Sequence, residues 1–200
     1  SPLLANLYMN RMLKGWRQTQ RGEQFQARIV SYADDFVILS RGKAREAASW
    51  ARGALTRMGL RLNEAKTSIR DARRERFDFL GYSYGPHIGR QTGREYIGCS
   101  PSAKSVKRMR ESVGEHLKPS RGGSWEEVRD QLNQKLRGWK AYFGLGSPSQ
   151  AYKVIDEYVD ERVRHFLRRR HKVSSQGTRQ FSTERIYGEL GVFRLRGPLV

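Results

Sequence analysis

The sequence predicts an α+β chain in two parts, antiparallel strands with helices over residues 1–100 and an all-helical bundle over 101–200. Two observations predict this. Before Pro101, short runs rich in β-branched and aromatic residues alternate with helical patterns. After it, three long stretches carry apolar residues at helical spacing, separated by "RGGS" and "GLGSPS".

Taken in order, "SPLLANLYMNRMLKGW" reads as a helix, with Pro2 in its first turn and a stripe through Leu3, Leu7 and Asn10 or Arg11, flanked by Leu4, Tyr8 and Met12. "QARIVSYADDFVILS" reads as strand, tight turn, strand, on the strength of Ile29, Val30, Phe36, Val37 and Ile38. "KAREAASWARGALTRM" follows as a helix with Ala47, Trp50, Ala51, Ala54 and Met58 on one face and Gly59 at its end. "LRLNEAKTSIR" is expected to be extended with a turn at Asn63. "RFDFLGYSYG" alternates like one strand, with "REYIGCS" as its partner across a Gly-rich loop. In the second half "SAKSVKRMRESVGEHL" is the first helix. "SWEEVRDQLNQKLRGWKAYF" is the second, opened by Ser124 and Glu127 in a capping-box spacing. The third, "SQAYKVIDEYVDERVRHFLRRRHK", has its stripe through Val154, Ile155, Tyr158, Val159, Val163, Phe166 and Leu167. The tail "STERIYGELGVFRLRGPLV" adds one short helix.

Charge bounds the function. The chain has 39 Lys and Arg against 20 Asp and Glu, a net charge of +19. The excess runs through both halves, 18 against 9 and then 21 against 11. An excess that persists along the chain points to a polyanion partner rather than to a basic tail. No run is long and apolar enough to span a bilayer, and four scattered His with one Cys give no zinc spacing. Cys99 alone excludes an internal disulfide and fits a reducing compartment.

Two adjacent carboxylates, Asp34 and Asp35, stand where two apolar strands meet. Burying unpaired charge is costly, so a hairpin turn that lifts them from the sheet explains their position. There they suit a hard cation such as Mg²⁺, which takes oxygen ligands and relieves their mutual repulsion. A solvated turn is the plainer account, since Asp is common in turns.

The flanking blocks resemble, in order, the reverse transcriptases encoded by group II introns. "SPLLANLYMN" is similar to the end of a palm motif that follows a Gln-Gly-Gly turn. "YADD", Tyr32 to Asp35, resembles the metal-binding palm hairpin, and "GLRLNEAKT", Gly59 to Thr67, the motif after it. "FDFLGY", Phe77 to Tyr82, resembles the primer grip, and "LNQKLRGWKAYF", Leu132 to Phe143, the thumb or maturase domain. The resemblance implies the C-terminal half of a polymerase palm over 1–100 and a helical thumb/maturase domain over 101–200. The activity it implies is RNA-directed DNA synthesis with Mg²⁺, or Mn²⁺, and dNTPs on an RNA template and DNA primer, together with binding of group II intron RNA to assist splicing. It makes Asp34 and Asp35 metal ligands and Lys66 a proton donor to leaving pyrophosphate. It places Tyr32, Ala33, Phe79, Leu80, Gly81 and Tyr82 near primer and nucleotide. Phe77 and Phe79 are expected to pack mainly in the core. A bacterial-type cytoplasmic location, in a ribonucleoprotein, follows from the same resemblance.

The family uses a further aspartate from a motif that these residues lack, so the expectation is a fragment or a truncated gene whose isolated chain does not polymerise. A non-catalytic RNA-binding maturase remnant is the alternative. A polymerase of another element, such as a retron, fits the Arg-Gly-Trp block less well. RNA contact is expected from Lys135, Arg137 and Lys140 in the second helix and from Arg164, Arg168, Arg169, Arg170 and Lys172 in the third. Part of the latter cluster also suits a helix C-terminus, where cations complement the dipole. Trp139 and Phe143 are expected in the bundle core, and Asn133 to cap or hydrogen-bond a neighbouring helix.

Overall fold

A computed structural model describes residues 2–89 and 92–198. The chain divides into two compact units, Ser1–Asp71 and Ala72–Val200. The division falls earlier than the change of composition at Pro101, because the second group of strands packs with the helices that follow it.

In the first unit, α1 (Pro2–Gln18) and the short α2 (Arg21–Gln24) precede a hairpin of β1 (Ala27–Tyr32) and β2 (Asp35–Ser40), and α3 (Ala44–Arg57) closes the unit. The strands are antiparallel, with Ile29 opposite Ile38 and Tyr32 opposite Asp35. Alternation gives the hairpin two faces. Ala27, Ile29, Phe36 and Ile38 turn towards the helices, while Val30, Tyr32 and Leu39 are exposed. The small residues Ala47, Ala51 and Ala54 let α3 approach closely, and Trp16 packs edge-on against Trp50 at 5.2 Å between centroids. Gly59, at φ 73°, ends α3 in the left-handed conformation expected of it.

Two expectations change here. The face of α1 that packs is Met9, Met12 and Trp16, whereas Leu3, Leu4 and Leu7 are more than half exposed. The leucine stripe and the methionine–tryptophan stripe share one period, and only tertiary packing selects between them. The segment 60–70 forms no strand. Lys66 and Thr67 instead donate backbone bonds to Asn63 and Glu64, making a turn, and Arg52 grips Glu64 with two 2.9 Å bonds.

In the second unit, β3 (Phe77–Phe79), β4 (Tyr82–Ile88) and β5 (Glu95–Pro101) form an antiparallel sheet in that order. "RFDFLGYSYG" is therefore not one strand but a hairpin turned at Leu80–Gly81, with Phe79 opposite Tyr82. Both turn residues have positive φ, 50° and 80°, as the two-residue turn matched to strand twist requires. The tip of the next loop, residues 90–91, lies outside the described residues.

The helices α4 (Ala103–His116), α5 (Trp125–Tyr142), α6 (Ser149–Arg170) and the short α7 (Thr183–Tyr187) complete the unit. Their starts follow the sequence: Ser102, Ser124 and Ser182 each accept a backbone N–H, and Ser124 with Glu127 forms the full capping box. The core joins Val113 and Leu117 of α4, Leu132 and Leu136 of α5, Ile155, Val159 and Val163 of α6, and Val192 and Leu195 of the tail. The predicted stripe of α6 is displaced slightly: Tyr152 and Asp156 are buried, and Val154 and Tyr158 lie at its margin.

Candidate metal hairpin and nucleic-acid surface

The hairpin of the first unit places the aspartate pair. Tyr32 and Asp35 are cross-strand partners, so the turn consists of Ala33 and Asp34 alone. Such a turn needs positive φ at its first position, where glycine is usual. Ala33 takes φ 52° there, at a cost on the order of 1 kcal/mol. Tyr32, Ala33, Asp34 and Asp35 are all exposed, and no side-chain hydrogen bond or ion pair holds either carboxylate among the described residues. The hairpin therefore presents two adjacent oxygen donors to solvent. Lys66 is exposed in the Asn63–Thr67 turn, with no described contact to either aspartate. Among the described residues no three His, Cys, Asp or Glu side chains gather to hold an ion. The pair suits part of an oxygen shell for Mg²⁺ but does not complete one.

In the second unit the Leu80–Gly81 turn is bound on two sides. The Gly81 carbonyl accepts from the Ser102 backbone N–H at 2.9 Å and the Ser105 hydroxyl at 2.8 Å. The Tyr82 hydroxyl donates to the Tyr142 carbonyl at 2.6 Å, and the Tyr142 hydroxyl donates to the Leu80 carbonyl at 3.0 Å. The Phe143 ring lies 5.1 Å from that of Tyr82. A Cβ built on Gly81 would stand 3.0 Å from the Ser105 hydroxyl and 3.1 Å from the Phe143 ring, so this position needs glycine for space as well as for φ. Tyr82 is buried, which raises its phenol pKa, desolvation being the main cause. Phe77 and Phe79 are half-buried, and Phe77 stacks on Tyr84 at 5.4 Å, so they line the sheet rather than the helical core.

The cations expected to meet RNA separate into those held by the fold and those presented to solvent. Arg164 is held: it donates to the Phe181 carbonyl at 2.9 Å and pairs with Asp160. Arg168 is half-buried, and its stem packs beside Gly177. Arg170 donates to the Gly123 carbonyl at 2.6 Å, while Arg169 and Lys172 are exposed. On α5, Lys135 reaches the Ser112 hydroxyl at 3.2 Å. Arg137 and Lys140 both lie over the Phe193 ring, 5.2 and 5.4 Å from its centroid. Phe193 escaped sequence reasoning because its partners are more than fifty positions away. Trp139 is half-buried and packs on the buried Phe143 at 4.6 Å, as expected of the pair. Asn133 spans to the tail instead of to a helix, donating to the Gly191 carbonyl at 2.8 Å and accepting from the Phe193 N–H at 2.7 Å.

Residues 1–84 match the family model of reverse transcriptases (RNA-dependent DNA polymerase), and residues 106–184 match that of the group II intron maturase-specific domain. The chain belongs to the group II intron reverse transcriptase–maturases. No curated protein matches it. The reverse transcriptase match extends past the first compact unit to include β3 and the start of β4. In this reverse transcriptase–maturase the last polymerase block therefore packs with the maturase-specific helices. The paired domains carry RNA-directed DNA polymerase and maturase function in group II introns, and nucleic acid is the partner class they imply. No described helix is long and apolar enough to cross a membrane.

Proposed function

We propose that Asp34 and Asp35 are metal ligands of a reverse transcriptase palm, that Phe79–Tyr82 lies by the primer strand, and that the helices after Pro101 hold group II intron RNA. In this reading the 1–100 segment is palm, the 101–200 segment is thumb and maturase domain, and the assembled polymerase copies RNA into DNA from dNTPs. The observation that carries it is the exposed aspartate pair at the tip of a two-residue hairpin, without a side-chain partner among the described residues, in a chain of net charge +19. Mg²⁺ or Mn²⁺ held there supplies positive charge to phosphoryl oxygens during transfer. Asp34 and Asp35 offer the oxygens; Tyr32 and Ala33 shape the surface beside them; Lys66 is the assigned proton donor to pyrophosphate. Two carboxylates alone bind such an ion weakly, so these 200 residues do not extend a primer by themselves. A bacterial-type cytoplasmic ribonucleoprotein is the setting this reading proposes.

A second reading, a maturase that binds RNA without catalysis, is favoured by one observation: among the described residues no third metal-binding side chain joins the pair. Titrating the chain with Mn²⁺ and following the free ion by electron paramagnetic resonance separates the two. The expected result is weak, saturable binding that Asp34→Ala abolishes while affinity for structured RNA is unchanged. Binding that survives Asp34→Ala, or its absence from the wild-type chain, removes the metal role and leaves the RNA-binding reading.

A further inference from the structure

Tyr142 closes α5 and is 57% exposed, yet its hydroxyl is engaged with a carbonyl 62 positions earlier, that of Leu80. Its own carbonyl accepts from the Tyr82 hydroxyl at 2.6 Å. The two tyrosines thus bind the β3–β4 turn from one side, while Ser102 and Ser105 bind the Gly81 carbonyl from the start of α4. Leu80 sits at φ 50°, where a non-glycine residue persists only if its surroundings over-determine it. Gly81 is fixed by close packing against Ser105 and Phe143. The bond reaching the Leu80 peptide comes instead from an exposed ring on a helix within the maturase-specific match.

We propose that Tyr142 is a positioning residue for nucleic acid at the Leu80–Gly81 turn: its hydroxyl on the Leu80 carbonyl sets the orientation of the turn that meets the primer end. The proposal rests on the reading of Phe79–Tyr82 as primer-proximal. It makes the "FLGY" and "RGWKAYF" blocks one working unit: the maturase-specific helix α5 fixes the geometry of a polymerase element. The Tyr82 ring and Phe143 then act as the backing against which the turn is held, 5.1 Å apart.

The test uses the 200-residue chain and its Tyr142→Phe variant, which loses the hydroxyl and keeps the ring. Fluorescence anisotropy measures affinity at one salt concentration for three probes: an RNA–DNA hybrid with a recessed DNA 3′ end, a blunt hybrid of the same length, and an RNA hairpin. The wild-type chain is expected to prefer the recessed end. Tyr142→Phe is expected to lose up to roughly fivefold on that probe, because binding must then re-order a turn that has lost one net hydrogen bond. Its affinity for the hairpin stays unchanged, its thermal midpoint falls by at most a few degrees, as loss of one internal hydrogen bond allows, and amide exchange at Ser102, whose N–H donates to the Gly81 carbonyl, rises. A variant that keeps the recessed-end preference, or that loses affinity equally for all three probes, overturns the positioning role. A wild-type chain that does not distinguish recessed from blunt ends overturns the primer-proximal reading itself, and the proposal with it.

Discussion

His116 shows what burial does to a single group. It ends α4 at 5% exposure, and its Nε2 stands 2.8 Å from the Val128 carbonyl, so that nitrogen carries the hydrogen. Burial lowers its pKa, the Val128 bond partly opposes this, and the positive charges of Arg121 and Lys135 add to the lowering. His165 is shifted in the same direction, by burial and then by Arg169, Arg162 and Arg168. A lowered folded pKa means that the unfolded chain takes up protons first, near its ordinary value of about 6.5. The stability from neutral His116 is therefore full above that value and is lost as pH falls below it towards the folded pKa. The thermal midpoint should drop between about pH 7 and about pH 5, and His116→Gln should flatten that slope. An unaltered slope in the variant would move the titration to His165. Nothing in "GEHL" distinguishes this histidine from an exposed one, because its burial comes from α5.

Among elements, α6 carries the clearest buried polar anchor. Asp156 is 2% exposed and accepts from the Leu195 N–H at 2.8 Å, the Arg196 N–H at 3.2 Å and the Arg196 Nε at 3.1 Å. Arg194 lies 4.0 Å away, and the Tyr187 hydroxyl donates to the Asp156 carbonyl at 2.6 Å. This one carboxylate binds the tail to the third long helix. Asp156→Ala leaves buried amides and a guanidinium without their acceptor, and should cost about 3 kcal/mol by urea unfolding. A loss below about 1 kcal/mol would mean that water replaces the carboxylate. The signal was present in the sequence: Asp156 falls four positions after Tyr152 and three before Val159, on the apolar stripe itself. The hidden turn at Leu80–Gly81 had no such signal. Alternation continues on both sides of a two-residue turn, so "RFDFLGYSYG" has the pattern of one strand and the structure of a hairpin.

For the whole molecule, the decisive quantity is the net charge of +19 and how much of it is free to meet phosphate. Arg164 is engaged inside the fold and the exposed Arg170 is tied to the Gly123 carbonyl, whereas Arg169 and Lys172 are exposed beside them. Affinity for structured RNA should fall steeply with salt, because bound phosphates release counterions. Replacing Arg169 and Lys172 together with Ala should reduce the slope of log affinity against log salt by roughly one for each phosphate no longer neutralised. A wild-type slope near zero would sink phosphate binding altogether, and an unchanged slope in the double variant would place the phosphate-binding cations elsewhere.

The sequence by itself determined the helices, the β1–β2 hairpin and the family. Apolar spacing, serine caps and Gly59 act within a few residues, so each is complete in its own segment. The ordered blocks around Asp34 and Asp35 identified a group II intron reverse transcriptase–maturase from residue identity alone. Tertiary structure decided which stripe of α1 packs, which arginines are spent internally, and where the compact units divide. It also decided that Tyr142 reaches back to Leu80 across 62 positions. Those outcomes depend on which distant surface arrives at a residue, and periodicity along a chain holds no record of that.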